Sequence, residues 1–168
     1  MTYGPINWIN LTLGILLVII PLFFYLKDFD PKRIAPENMG ATDQTMNTIE
    51  QLGVGGSLIL MYVPYGVGEY GFPSVFAMML CWGLGAVIVI AANITYFVYR
   101  RKDTKTMAIV SAAIPPMLFI LTGFCLHQYL LIVTGVLYLG GHIYMTLLRR
   151  KARLSKKTED EQKSAEAR

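Results

Sequence analysis

Charge is missing from most of this chain. Its fifteen Lys and Arg residues fall into three places only: residues 27–33, 100–105 and 149 onward. Residues 1–26, 51–68, 70–99 and 106–148 carry no Asp, Glu, Lys or Arg at all. A water-soluble domain needs charge dispersed over its surface, so runs of this length exclude one. Cysteine is almost as scarce. Cys81 and Cys125 are the only two, and no CxxC occurs, which argues against thiol-redox chemistry. Their estimated depths differ, so no disulfide is expected between them. With two histidines and no HExxH, GxSxG or phosphate-binding glycine loop, nothing points to a metal or a cofactor.

What is present is apolar sequence in lengths that match a bilayer. A spanning helix takes about 20 mostly apolar residues. Residues 106–148 are too many for one, since as a single helix they would run roughly 65 Å. They must fold back, and residues 123–128 are the expected turn. A second turn falls at residues 66–71, which hold Gly66, Gly68 and Gly71. The sequence therefore predicts an all-α integral membrane protein, a five-helix transmembrane bundle with spans near 6–26, 49–66, 72–99, 107–125 and 128–148. These form one domain over residues 1–148, followed by a basic and then mixed-charge tail over 149–168. The first span has no basic region before it and is expected to be retained rather than cleaved as a signal peptide.

Five crossings put all three basic groups on one face. Cations near span ends favour the cytoplasm. The N-terminus is thus expected outside and the C-terminus inside, in the cell membrane. Glu69 would then be the one charged side chain on the outer surface. Aromatic residues agree with this frame: Tyr3, Trp8, Tyr62, Tyr65, Tyr70 and Tyr129 fall at the outer boundary, and Tyr25, Tyr96, Tyr99 and Tyr144 at the inner one. Trp82 and Tyr138 lie deeper and are expected to face protein. Cations placed for orientation make the lipid bilayer the expected partner and nucleic acid an unsuitable one. The first part of the tail is expected to extend the fifth helix along anionic headgroups, and its last ten residues to be solvated and mobile.

Within the connection over residues 27–50, Pro31 and Pro36 break any early helix, and Thr42 and Asp43 offer a later start. The second span is therefore expected to begin as an interfacial helix near Asp43. It is also the least apolar span, because Gly53, Gly55 and Gly56 dilute it.

Few residues could carry chemistry. Glu50, Asn93 and His142 fall at similar depth in the inner third of their spans. Polar groups inside a bilayer turn toward the bundle and find one another. They form a candidate inner site for a ligand or proton, with Glu50 as acid or cation ligand, His142 as the titrating group and Asn93 as orienter, joined in one polar cavity. The plainer alternative is interhelical hydrogen bonding alone. Glu69 and His127, in the two outer turns, make a possible second site, although two ligands without fixed spacing are no metal motif. Pro115 and Pro116 interrupt the fourth span and leave carbonyls near Ser111 and Ala112 without their usual donors. That predicts a kink or hinge, lining a cavity or satisfied by packing. Gly83, Gly85, Gly140 and Gly141 mark helix packing, within the chain or across a homodimer or other membrane-subunit seam.

These features favour a small polytopic membrane protein that binds or passes a small solute, or a small subunit of a transport assembly. A non-catalytic structural or regulatory partner of another membrane protein is the second class. A lipid-modifying membrane enzyme is the third, with Glu50 and His142 as its one candidate pair. A non-enzyme is favoured, because no nucleophile with a base and no metal cluster can be read from the sequence.

Overall fold

Among the described residues all the regular structure is helical, as expected from the charge-free runs. The computed structural model describes residues 12–13, 15–16, 40–62 and 72–166. Four helices lie in that part: α1 (Ala41–Tyr62), α2 (Val75–Arg101), α3 (Lys105–Cys125) and α4 (Tyr129–Glu166). No strand occurs among the described residues. Three of the helices contain stretches long and apolar enough to cross a membrane: Val75–Arg101, Lys105–Cys125 and Tyr129–Ser155.

The fifth helix of the sequence reading falls on the first span. Of that span only Thr12, Leu13, Ile15 and Leu16 belong to the described residues, all in helical conformation. The second span corresponds to part of α1, which is not among the three membrane-length helices. Its first half carries Thr42, Asp43, Gln44, Thr45, Asn47, Thr48, Glu50 and Gln51, so the apolar part is short. The described residues thus support an all-helical protein with three membrane-length helices, not the count of five.

Each start and stop has a local cause. Ser74 caps α2 by accepting from the Ala77 N–H at 3.1 Å. Thr104 caps α3 in the same way toward Met107 at 3.3 Å. Arg100 and Arg101 close the last turn of α2, where cations suit the helix dipole. The turn between α3 and α4 is a Schellman closure. Gln128 N–H donates to Gly123 O at 2.8 Å and His127 N–H to Phe124 O at 3.2 Å. His127 holds the left-handed conformation this requires, with φ 52°. α4 then runs on for 38 residues, about 57 Å. It continues to Glu166 through most of the mixed-charge segment expected to be mobile, which holds no Gly or Pro and contains Glu, Ala, Gln and Lys, all good helix formers.

α3 packs against both α2 and α4, and α1 packs against α4. The core gathers around Leu118 and Phe119 of α3, Cys81 and Ala92 of α2, Met61 of α1, and Leu131 and Tyr138 of α4. Pro115 and Pro116 lie inside continuous helix and both are buried. Cys81 donates its thiol to Thr122 Oγ1 at 3.7 Å, which puts it less than one turn from Cys125. The two cysteines are therefore closer in depth than span counting suggests, and both are free thiols.

Candidate functional site

The seam between α1 and α4 is built by glycine. A Cβ on Gly53 would lie 2.6 Å from the Tyr138 backbone nitrogen, and one on Gly141 would lie 2.8 Å from that of Glu50. Those distances admit only hydrogen, so the two backbones touch. The helices are antiparallel: Glu50 meets Gly141, Gly53 meets Tyr138, and Ser57 meets Thr134. The Ser57 hydroxyl donates to Thr134 Oγ1 at 3.0 Å, and the Thr134 hydroxyl in turn donates to the Leu131 carbonyl at 3.1 Å. A buried stripe of Glu50, Gly53, Ser57 and Met61 results, at the spacing of one helix face.

This approach carries Glu50 into the protein, where the residue is only 7% exposed. Two side chains of α4 meet its carboxylate. His142 Nδ1 lies 2.6 Å from Oε1. Arg149 grips both oxygens, Nη2 donating to Oε2 at 2.8 Å and Nη1 to Oε1 at 3.2 Å. A bidentate guanidinium is the strongest neutraliser a buried carboxylate finds among side chains. The Tyr138 ring lies 4.9 Å from the imidazole, tilted by 38°, and Phe119 of α3 abuts Tyr138 at 5.8 Å. The acid is thus enclosed by one permanent cation, one titratable ring and an aromatic floor.

Further polar contacts gather at the same end. The Tyr144 hydroxyl donates to Asp43 Oδ1 at 2.6 Å. Arg150 Nε donates to Asp103 Oδ1 at 2.6 Å and Nη2 to the Asp103 carbonyl at 3.1 Å. Arg153 bonds the Tyr99 hydroxyl and stacks over that ring, 5.4 Å from its centroid. The second and third basic groups of the sequence therefore share one end of the helices.

The candidate residues divide accordingly. Glu50 and His142 are brought together. Asn93 is not with them: its Nδ2 donates to Val89 O of its own helix at 2.8 Å, and its buried Oδ1 has no hydrogen-bond partner. α2 packs along α3, away from the α1–α4 seam, so equal depth in the sequence did not become proximity. Glu69 lies outside the described residues, and His127 is an exposed turn residue whose backbone closes α3. Pro115 and Pro116 are buried, as are Ala112, Leu118 and Phe119 of the same helix. Gly85 and Gly141 lie in close contacts, whereas nothing comes within 4 Å of a Cβ placed on Gly83 or Gly140.

Arg149 was missed as a site residue because the sequence reading assigned it to the tail. Its signal was the spacing of Tyr138, His142, Met145 and Arg149, which keeps one helix face across the point where apolar sequence ends. No cluster of three or more His, Cys, Asp or Glu side chains occurs among the described residues. Chemically, the arrangement holds an anion in place and sets an imidazole beside it. No protein-family model, curated protein or solved structure matches this chain.

Proposed function

We propose that the chain is a five-span protein of the cell membrane, N-terminus outside and C-terminus in the cytoplasm, that serves as a small non-catalytic subunit docking with another membrane protein. The observation that supports this best is the filling of the bundle beside its prolines. Pro116, Leu118, Phe119 and Leu131 are fully buried where a solute pathway would need space. The open outward positions of Gly83 and Gly140 fit the same reading, since a bare backbone lets another helix approach closely. The test is extraction in a mild detergent followed by cross-linking of Gly83→Cys and Gly140→Cys variants. A docking subunit gives a defined heteromeric or homomeric cross-link at one of these positions and none at Lys102→Cys. A chain that stays monomeric and uncross-linked throughout refutes it.

A second reading, a small-solute or proton site at Glu50 and His142, is favoured by one fact. The His142 side chain is 23% exposed while the Glu50 side chain beneath it is 9% exposed. The imidazole therefore covers the acid from the open side, and a cationic solute could displace it. This reading requires that His142→Gln change uptake or binding in reconstituted vesicles while the protein stays folded. An unchanged signal leaves the pair as a helix fastener.

A further inference from the structure

We propose that the cleft between the start of α3 and the polar extension of α4 binds the phosphodiester headgroup of an anionic phospholipid. The inference rests on the membrane-spanning part of the reading above. The cleft has a volume of about 540 Å³. Lys105 lines it from α3, and Arg150 and Lys151 from α4. No Asp or Glu is among its lining residues. Asp103, the nearby acid, is taken up by Arg150 through both its carboxylate and its carbonyl. Among the described residues neither Lys105 nor Lys151 forms an ion pair, so two uncompensated ammonium groups face one concavity.

The rest of the lining selects a lipid over a free anion. Leu147 belongs to the last turn of the apolar run, and Leu154 lies two turns further along α4. They give the cleft an apolar wall beside its cations. Ser155 adds a hydroxyl at the end away from the apolar run. An acyl-glycerol phosphate presents the same order: hydrocarbon, then a negative phosphate, then a polar substituent. The position agrees, because Lys105 opens the helix at the boundary where residues 106–148 begin their uncharged run. Cations at the end of a spanning helix attract anionic headgroups, and basic pockets between such helices hold them.

The test uses the full chain in mild detergent, with bound lipid counted by native mass spectrometry against added phosphatidylglycerol or phosphatidylcholine. Selective retention of phosphatidylglycerol is expected. Lys105→Gln or Lys151→Gln should each lower it about fivefold, and Lys151→Arg should restore it. Lys102→Gln, an exposed cation outside the cleft lining, should leave it unchanged. Equal retention of the two lipids overturns the proposal, as does a loss in Lys102→Gln matching that in the cleft variants. Displacement of the lipid by millimolar inorganic phosphate would also overturn it, making the site one for a soluble anion. Release of the wild-type chain from membranes by carbonate, without detergent, would instead refute the membrane reading itself. Loss of lipid selectivity in a chain that resists carbonate sinks only the lipid site.

Discussion

Glu50 sets the energetic problem at the residue scale. Moving a carboxylate out of water carries a penalty of several kcal/mol, and a buried pair recovers it only with good geometry. Arg149 supplies that geometry with two parallel hydrogen bonds, and His142 supplies a third contact. Removing one partner is therefore worse than removing both. Arg149→Met should lower stability in detergent by about 3–5 kcal/mol, while Glu50→Gln combined with Arg149→Met should lose much less. Equal losses in denaturant or thermal unfolding would show that the carboxylate does not depend on the guanidinium. His127 poses a different problem, one of backbone. A non-glycine residue in the left-handed region carries a strain of about 1–2 kcal/mol, and the Schellman turn imposes it here. His127→Gly should thus stabilise the α3–α4 hairpin by about 1 kcal/mol, and His127→Val should destabilise it. The same assay reads both, and a loss in the glycine variant would assign the imidazole a role of its own.

Helix α1 is weak by its own sequence and depends on its neighbour. Glycine inside a helix is unfavourable by roughly 0.5–1 kcal/mol relative to alanine, and α1 holds Gly53, Gly55 and Gly56. Contact with α4 offsets this, because Gly53 and Gly141 let the backbones meet and dispersion contacts accumulate along the seam. The neighbouring glycines divide by what faces them. Gly53→Ala and Gly141→Ala would drive a methyl into backbone and should destabilise by about 1–3 kcal/mol. Gly140→Ala meets open space and should be neutral or stabilising by up to about 1 kcal/mol. Unfolding of the three single variants checks this, and a seam indifferent to Gly141→Ala would mean the helices are not in van der Waals contact. α2 shows the opposite pattern. Phe76, Met79, Val87, Ile90 and Ile94 are exposed on the face that also carries Gly83, an apolar surface left for lipid or for another helix to cover.

At the scale of the whole molecule, the ion pairs Arg149–Glu50 and Arg150–Asp103 and the Arg153–Tyr99 contact bind one end of the helices together. That end holds the cations, so on the proposed topology it is the cytoplasmic one. The five crossings of the proposed topology would put the two termini in opposite compartments. Epitope tags at each end of the chain, probed before and after permeabilisation, should give an outer N-terminus and an inner C-terminus. Both tags reached from one side would require an even number of spans and separate the group at residues 27–33 from the other two.

Part of this architecture was legible in residue order. α2, α3 and the α3–α4 turn follow from charge-free length and from the need of a 43-residue run to fold back, whereas the caps Ser74 and Thr104 emerged only in the structure. Length and charge are one-dimensional constraints, because hydrocarbon rejects ions wherever they occur. Equal depth also suggested Glu50 with His142. Depth, however, is one coordinate, and the direction in which a side chain leaves the bundle is another. Only the packing of α1 on α4, and of α2 on α3, decided that Arg149 would join the acid and that Asn93 would bond its own helix. Charge patterning set which end of each helix gathers cations. Which faces touch was settled by the close approach that Gly53 and Gly141 permit, a three-dimensional fit between two surfaces that neither helix displays alone.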